Sequence, residues 1–218
     1  IMVGRGRLDG KVAFITGGSK GIGRATAKLL AEEGCKVAIV AREDERLQTV
    51  AKELSAETGG EVIGFQGDCS TTEDTERTVR QTLDRFGRID LFCSNAGIMQ
   101  DGGLEVTDAE WQRAWEVNFL SHVYAARAVV PKMVEQGGGY LLQTASAAGL
   151  LTQIGAAPYS VTKHAAVAFA EWLSITYHRQ GIRVSCLCSQ GVHTRMLDES
   201  RSALADALRP SALMPGQV

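Results

Sequence analysis

The chain has 218 residues, of which 44% are hydrophobic, and this suits one globular α/β domain with a substantial core. A formal net charge of −2 excludes the general basic field that would draw the protein to nucleic acid, and no run approaches the roughly 18 apolar residues of a membrane span. The first residues lack the apolar region of a secretion signal, so we expect a cytoplasmic protein without a membrane partner.

Short β-rich runs alternate with longer helical stretches, which predicts a doubly wound, mostly parallel sheet with helices on both faces. The nearly continuous apolar character of the strand candidates fits strands that are covered on both faces. The predicted strands are Val12–Thr16, Lys36–Val40, Glu61–Gly67, Leu91–Ser94, Tyr140–Thr144 and Arg183–Leu187. The predicted helices are Gly21–Glu33, Asp44–Glu57, Thr72–Phe86, Asp108–Glu135 and Ala157–Gln180.

The C-terminal segment departs from this alternation. After Thr194, a mixed helical stretch over Met196–Leu208 is followed by Pro210 and Pro215. A sheet that ended on an exposed strand would leave unpaired backbone groups. We therefore expect a single domain over residues 1–218, whose last part, from about residue 195, is a substrate loop or lid, and a sheet that this stretch of chain leaves incomplete.

The five cysteines are an odd number without the spacing of a disulfide framework. Cys186 and Cys188 alternate within an apolar run, and Cys35 and Cys93 border apolar runs. No histidine clusters with them, so we interpret them as buried reduced thiols and predict no metal site.

A glycine-rich segment, TGGSKGIG, follows the first predicted strand and opens the first helix. Its glycines remove side chains where the turn is tight and where backbone must approach a pyrophosphate, and the helix offers free N–H groups to that anion. Its spacing differs from the commoner dinucleotide fingerprint, and a tight strand–helix connection is the alternative. The cofactor-binding residues predicted here are Gly17, Ser19, Lys20, Gly21, Ile22 and Gly23.

The end of the second strand bears on which cofactor is bound. A free ribose 2′-hydroxyl calls for a carboxylate about 20 residues past the glycines, whereas a 2′-phosphate calls for arginine. Arg42 follows Ala41 there, and together with Lys20 it provides two cations suited to a dianionic phosphate. We therefore favour NADP(H). Glu43 and Asp44 keep NAD(H) possible, and solvated loop charges are the third interpretation.

Two further strand ends carry candidate cofactor contacts. Asp68 follows the third strand, where its carboxylate could accept the adenine amino group, or it could cap the helix that begins near Thr71. Asn95, Ala96 and Gly97 follow the fourth strand, at the carboxyl edge where open α/β sheets bind ligands, although Asn and Gly also favour simple turns. We predict that both segments contribute to the nucleotide site.

Tyr159 and Lys163 lie four residues apart, which places them on one face of the last predicted helix. A lysine ammonium beside a phenol favours the phenolate, so a group whose pKa is ordinarily near ~10 could act as an acid or base near neutral pH. This spacing also occurs by chance in many proteins. Here Ser146 precedes Tyr159 by thirteen residues, and Asn118 lies in the helix upstream. Taken singly, each of these side chains could instead be ordinary packing, a buried polar group or a surface cation.

In this order, the motifs closely resemble the short-chain dehydrogenases/reductases over nearly the whole chain. The resemblance implies a Rossmann fold and a nicotinamide cofactor. The catalytic tetrad that it implies is Asn118, Ser146, Tyr159 and Lys163. It implies that Tyr159 exchanges a proton with the substrate oxygen, that Ser146 hydrogen-bonds this oxygen, and that Lys163 lowers the tyrosine pKa and holds the nicotinamide ribose. Asn118 would distort its helix and anchor a water that relays protons to Lys163.

The loop after the sixth strand departs from the family pattern. The family usually has Pro-Gly where this chain has Ser189 and Gln190 followed by Gly191. Val192 and Thr194 keep the positions that the resemblance assigns to contacts with the nicotinamide amide and phosphate. Loss of the proline could loosen or reshape this loop.

These features predict an NADP(H)-dependent oxidoreductase that interconverts a secondary alcohol and a ketone. The alternative is a nucleotide-binding scaffold or regulator without catalysis, and the intact tetrad argues against it. A largely apolar pocket favours an apolar carbonyl or alcohol substrate. Its predicted lining is Ala148, Leu150, Gln153, Ile154, Met196 and Leu197. The resemblance also implies a homodimer or homotetramer formed through the tyrosine helix and the Asn118 helix.

Overall fold

Six parallel strands form one sheet in the order β3-β2-β1-β4-β5-β6. The strands are β1 (Val12–Thr16), β2 (Lys36–Ala41), β3 (Val62–Gln66), β4 (Leu91–Ser94), β5 (Gly139–Thr144) and β6 (Ile182–Leu187). The structure is a computed structural model that describes residues 8–192, 194, 196 and 212–218. The predicted doubly wound sheet is confirmed, and every predicted strand boundary lies within one residue of the observed one.

Helices cover both faces of this sheet. They are α1 (Gly21–Glu32), α2 (Asp44–Thr58), α3 (Thr72–Phe86), α4 (Asp108–Trp115), α5 (Ser121–Glu135) and α6 (Ala157–Tyr177). Successive strand residues point to opposite faces, so Ile15 packs with Leu54 beneath α1 and α2, while Phe14 packs with Val129 and Leu173 beneath α3, α5 and α6. Burial of both faces explains why the strands read as continuous apolar runs.

The helix starts are fixed by local polar contacts. Thr71 caps α3 by accepting a hydrogen bond from the backbone N–H of Asp74. Thr107 and Glu110 form a reciprocal capping box at the start of α4. Helix α3 ends at Gly87, whose φ of 78° is the left-handed conformation that glycine adopts without strain.

The helix predicted over Asp108–Glu135 contains an irregular stretch. Between α4 and α5 the backbone forms a π segment (Glu116–Leu120) that contains Asn118. The predicted bounds of this helix are therefore confirmed, and the distortion expected at Asn118 takes the form of the π segment. Such π segments are frequent at functional sites.

The chain reverses direction across the sheet between β1 and β4. It runs outward from β1 to β3, then crosses back to β4 on the other side of β1. The carboxyl ends of these two neighbouring strands diverge into separate loops, which leaves the crevice where open α/β sheets bind ligands. The fold therefore brings the glycine-rich turn and the Asn95–Gly97 segment to one edge.

The C-terminal predictions lie largely outside the described residues, which leave out 197–211 and hence most of the proposed helical stretch and lid. Within the described ranges, β6 pairs with β5 alone. Leu213 forms a parallel bridge with Val192, and its N–H donates to the carbonyl oxygen of Gly191 at 3.0 Å. Residues 212–218 therefore return to the loop that follows β6.

Candidate active site

Thr16, the last residue of β1, fixes the loop that follows β4. Its Oγ1 accepts hydrogen bonds from the backbone N–H groups of Asn95 at 2.9 Å and Ala96 at 3.1 Å. The Asn95 side chain returns a bond from Nδ2 to the carbonyl oxygen of Thr16 at 3.1 Å. The predicted Asn95–Gly97 segment is thus held rigidly at the crevice. Thr16 itself was missed, although its place directly before the glycines was a usable signal.

The glycine-rich turn has no room for side chains at its centre. A Cβ on Gly23 would lie 2.4 Å from the carbonyl oxygen of Gly17, and a Cβ on Gly18 would lie 2.6 Å from Ile39. Gly17 also has a φ of 69°, which favours glycine. The other predicted residues open α1: Ser19 is buried, and Lys20, Gly21 and Ile22 are half-buried.

The amino end of α1 suits an anion. Lys20 occupies its N-cap and its side chain makes no capping hydrogen bond to the helix, and the first turn has no acidic residue. Helices α3 and α4, by contrast, have threonine caps and acidic first turns. The first N–H groups and the positive end of the helix dipole are therefore available to a phosphate. With the close approach at Gly23, these residues fit a dinucleotide pyrophosphate.

Asp68 lies in the loop that follows β3. In the sheet, β2 separates β3 from β1, the strand that leads into the glycine-rich turn. The role of Asp68 as a helix cap is ruled out, because Thr71 caps α3. Burial acts to raise the pKa of the Asp68 carboxyl, but hydrogen bonds from Ser70 and the charges of Arg113 and Arg42 hold that pKa below its ordinary value. The carboxylate is therefore ionised at neutral pH. Arg113 was missed, since nothing in its local sequence distinguishes it from a solvated helix residue.

The two predicted phosphate-binding cations lie at the carboxyl ends of neighbouring strands. Arg42 follows β2 and its side chain is exposed. Lys20 follows β1, and its Nζ lies 3.0 Å from Oε1 of Glu43. Exposed ion pairs of this kind contribute little free energy, so Lys20 can exchange its partner for a phosphate at small cost.

Asn118 joins three elements of the site. Its Oδ1 accepts from the Ile98 N–H at 2.8 Å, while its Nδ2 donates to the Ile98 carbonyl oxygen at 3.0 Å and to Oγ1 of Thr162 at 3.2 Å. A Cβ on Gly97 would lie 3.3 Å from Asn118 Oδ1 and 3.5 Å from Lys163 Nζ. Gly97 therefore lets the fourth-strand loop touch both tetrad members.

Tyr159 and Ser146 meet at the start of α6. Ser146 accepts from the Ala148 N–H at 3.1 Å, and Tyr159 packs in a small cluster with Ala148, Ala156 and Met99. Burial raises the pKa of the Tyr159 phenol, and a hydrogen bond with Ser146 opposes this rise. The lowering of the Tyr159 pKa by the nearby lysine, which its spacing predicts, is therefore not observed.

Lys163 is buried, with 3% of its surface exposed. Its Nζ donates to the carbonyl oxygen of Thr144 at 3.0 Å and lies 5.6 Å from the centre of the Tyr159 ring. Burial lowers the pKa of this ammonium to about 8, although the neighbouring thiols Cys186 and Cys188 act in the opposite direction. The lysine is thus charged at neutral pH and loses its proton in mild alkali.

His122 is a further buried group near the tetrad that sequence reasoning missed. It lies one helical turn after Asn118 and is fully buried, and its Nδ1 contacts Oε1 of Gln143. Among the described residues, its Nε2 has no hydrogen-bond partner. Burial, together with the charge of Lys163, lowers the histidine pKa to about 4. His122 is therefore neutral at physiological pH.

The loop after β6 lies over the glycine-rich turn. Val192 is buried, and a Cβ on Gly21 would lie 3.1 Å from Cγ2 of Thr194. The carbonyl oxygen of Ser189 accepts from the Ala147 N–H at 2.8 Å, which ties this loop to the segment that follows Ser146. Of the two predicted contact residues, Thr194 thus reaches the nucleotide turn without the family's Pro-Gly, while Val192 is buried and bridges to Leu213.

Exposed apolar side chains lie on two loops that meet near Tyr159, at Gly102 and Ala156, and we call this region the entrance. The loops that carry them are joined by hydrogen bonds from Gly102 N–H to Gly155 O and from Ala157 N–H to Gly102 O, both 2.8 Å. The exposed residues are Leu104, Leu150, Leu151 and Ile154. Of the other predicted lining residues, Ala148 and Gln153 are buried and Met196 approaches Gly97, while Leu197 lies outside the described residues.

The described residues can be compared with what a disulfide, a metal site and a membrane-spanning helix require. All five cysteines are free, and Cys35 and Cys93 are buried as predicted. Across the described part of the chain, no three His, Cys, Asp or Glu side chains are grouped to hold a metal ion. None of the described helices is long and apolar enough to cross a membrane. The cytoplasmic location stays a prediction.

The fold and this site define a dinucleotide-dependent oxidoreductase, and comparison with known proteins identifies the family. The family model described as short chain dehydrogenase matches residues 11–205. Zerumbone synthase of Zingiber zerumbet is 35% identical over 214 residues, which cover 93% of this chain and 78% of that protein. This chain belongs to the short-chain dehydrogenase/reductase family, and it is an NAD(P)-dependent oxidoreductase.

Two solved structures extend the comparison. A short-chain dehydrogenase/reductase from Burkholderia phymatum in complex with NAD superimposes with a TM-score of 0.85 at 33% identity, covering 93% of this chain and 73% of that one. L-Sorbose reductase from Gluconobacter frateurii, complexed with NADPH and L-sorbose, superimposes with a TM-score of 0.88 at 29% identity, covering 96% and 87%. Both confirm the Rossmann-type architecture.

Proposed function

We propose that the protein is an NADP(H)-dependent oxidoreductase that interconverts a secondary alcohol and a ketone, with Tyr159 as the acid and base. The observation that carries this proposal is the burial of Tyr159 and Lys163 beside Ser146, at the edge where the glycine-rich turn offers its helix amino end. One apolar entrance therefore serves both a hydride site and a proton donor.

The chain's own groups account for the handling of the substrate oxygen. A bound nicotinamide supplies a hydride to a ketone or accepts one from an alcohol. Negative charge then develops on the ketone oxygen, and the hydroxyls of Tyr159 and Ser146 stabilise it, typically by a few kcal/mol each. Because burial raises the Tyr159 pKa, the phenol keeps its proton at neutral pH and donates it to that oxygen.

Lys163 and Asn118 support this proton transfer. The Lys163 ammonium stabilises the tyrosinate that donation leaves behind, and it has two hydrogens beyond the one given to Thr144 with which to hold the nicotinamide ribose. Asn118 contacts the same Gly97 as Lys163, and the π segment around it alters the helical hydrogen-bond pattern. We assign this segment the anchoring of a water that returns protons to Lys163.

Cofactor preference is proposed to depend on Arg42, with help from Lys20. The related structures contain NAD in one case and NADPH in another, so family membership does not fix the cofactor, and we infer the preference from the residues at the end of β2. Fluorescence titration should give a lower Kd for NADPH than for NADH, and Arg42→Ala should remove the difference. Arg46→Ala, an exposed arginine one helical turn further on, is the matched control. An unchanged preference in Arg42→Ala would contradict the 2′-phosphate argument.

The substrate is proposed to be an apolar ketone or secondary alcohol. The four exposed apolar side chains at the entrance support this, since binding would remove their surface from water. A panel of cyclic and aromatic ketones should give a higher kcat/KM than small keto acids of similar reactivity. Substitution of Leu151 or Ile154 by serine should reduce the difference in kcat/KM between the apolar ketones and the keto acids. A keto acid as the best substrate would refute the assignment.

The protein is further proposed to be a homodimer or homotetramer. Helix α6 presents an exposed stripe at helical spacing, and its members are Val161, His164, Ala168, Trp172 and Ile175. Covering so large an apolar stripe is a common reason for self-association. Light scattering should give a multiple of the 23.3 kDa chain mass, and Ile175→Asp should shift it to the monomer. A monomeric wild type would exclude this proposal.

A further inference from the structure

We propose that Arg113 is a positioning residue for adenine recognition, which holds Asp68 through Ser70 so that one carboxylate oxygen faces the adenine amino group. This inference rests on the proposed contact between Asp68 and adenine, and it assigns to α4 a part in cofactor binding. Arg113 is 43 residues from Ser70 in the sequence, so only the fold brings them together.

The contacts form a directed chain. The Ser70 hydroxyl donates to Asp68 Oδ1 at 2.6 Å, and the Ser70 N–H donates to the same oxygen at 3.0 Å. Arg113 Nη1 donates to the Ser70 hydroxyl oxygen at 2.8 Å. A hydroxyl has one hydrogen, so the arginine, which can only donate, directs that hydrogen to Asp68. Loss of Arg113 would free the serine to rotate.

The second carboxylate oxygen keeps its capacity to accept. Among the described residues, Asp68 Oδ2 has a single long polar contact, 3.4 Å from Arg113 Nη2, and the side chain is 28% exposed. An ionised carboxylate offers about four acceptor positions, and the donors described above use chiefly those of Oδ1. The backbone is fixed as well, because the Asp68 N–H donates to Asp74 Oδ2 at 2.8 Å. The orientation of Asp68 is therefore fixed, while its Oδ2 keeps acceptor positions for a ligand.

A surface ion pair is the alternative role for Arg113. Among the described contacts, the nearest acidic side chain along the chain is Glu116, the first residue of the π segment, at 3.9 Å between Arg113 Nη1 and Glu116 Oε2. That distance exceeds a hydrogen bond, whereas the contact with Ser70 is well within one. The Arg113–Ser70 contact also joins α4 to the loop that precedes α3. Helix α4 leads directly into the π segment of Asn118, so the same helix joins the adenine end to the tetrad.

The test compares NADPH with its hypoxanthine analogue, in which an oxo group replaces the adenine amino group. Fluorescence titration should show that the wild type binds NADPH about tenfold or more tightly than the analogue, as expected for one hydrogen bond to a charged group. Arg113→Met, which keeps an apolar stem, should reduce the ratio to within about threefold by weakening NADPH alone. Ser70→Ala should do the same. Arg85→Ala, an exposed arginine at the far end of α3, is the control.

The outcomes separate the inference from the function on which it rests. If Asp68→Ala keeps the tenfold ratio, the proposed adenine contact itself fails. If Asp68→Ala removes the ratio but Arg113→Met and Ser70→Ala keep it, Asp68 binds adenine and the positioning role of Arg113 is overturned. Equal weakening of both dinucleotides by Arg113→Met would also overturn it, because a general structural role predicts that result. The same comparison with NADH and its hypoxanthine analogue keeps the test valid for either cofactor.

Discussion

Replacing Lys163 with methionine should show that the buried ammonium in the active site lowers the free energy of unfolding at neutral pH. The ammonium is 3% exposed, and burial lowers its pKa from 10.5 to about 8. At about 1.36 kcal/mol per pH unit, keeping this group charged costs roughly 3 kcal/mol of unfolding free energy at pH 7. The variant would also remove the donor to the Thr144 carbonyl oxygen, which costs about 1–3 kcal/mol if that oxygen is left unpaired. The expected net gain at pH 7 is therefore small, up to about 2 kcal/mol.

The pH dependence separates these two effects. Because the folded pKa of Lys163 lies below the unfolded one, the wild type gains stability as pH rises from about 8 towards 10.5, and Lys163→Met does not. Urea denaturation should show that the stability of the variant relative to the wild type falls by roughly 2–3 kcal/mol between pH 7 and pH 10. Oxidoreductase turnover should be lost at both values. A stability difference that stays constant over this range would refute the buried charge.

Three further predictions concern neighbouring groups. Because burial lowers the His122 pKa from 6.5 to about 4, the folded protein loses stability as the pH falls between these two values. The free energy of unfolding of the wild type relative to His122→Gln should therefore drop by roughly 3 kcal/mol from pH 7 to pH 4, and a constant difference would contradict this prediction. Gly23→Ala should abolish dinucleotide binding in calorimetry, since its Cβ would meet the Gly17 carbonyl oxygen at 2.4 Å; wild-type affinity would disprove the tight turn. Alcohol oxidation should accelerate from pH 6 to pH 7.5, where Lys163 stays charged, because the raised Tyr159 pKa leaves little phenolate; a flat profile would count against Tyr159 as the base.

The sheet was predictable because its signals are local. Strands buried on both faces are continuous apolar runs, and glycines such as Gly87 end the helices between them. The π segment was expected only from the family resemblance, since the sequence over Asp108–Glu135 keeps an ordinary helical pattern. Its cause is tertiary: Asn118 bonds Ile98, 20 residues earlier, and Thr162, 44 residues later.

The tetrad was identified by resemblance to a family, and the spacing of Tyr159 and Lys163 alone left it open. The lowering of the tyrosine pKa that the spacing predicts is not found, because burial, a property of the whole fold, raises that pKa, and the opposing effect comes from the hydrogen bond with Ser146. Arg113 and His122 were missed for a related reason. Their partners Ser70 and Gln143 lie 43 and 21 residues away, so each looks like an ordinary polar residue until the fold is known.

The proton-transfer role of Tyr159 is tested most directly by measuring cofactor binding and turnover together in Tyr159→Phe. We predict that Tyr159→Phe has a Kd for NADPH within about threefold of the wild-type value and a kcat for ketone reduction that is lower by at least about 100-fold. Tyr140→Phe, which removes a hydroxyl bonded to Ser185 at 2.6 Å, should leave both values unchanged. Wild-type turnover in Tyr159→Phe would contradict the account.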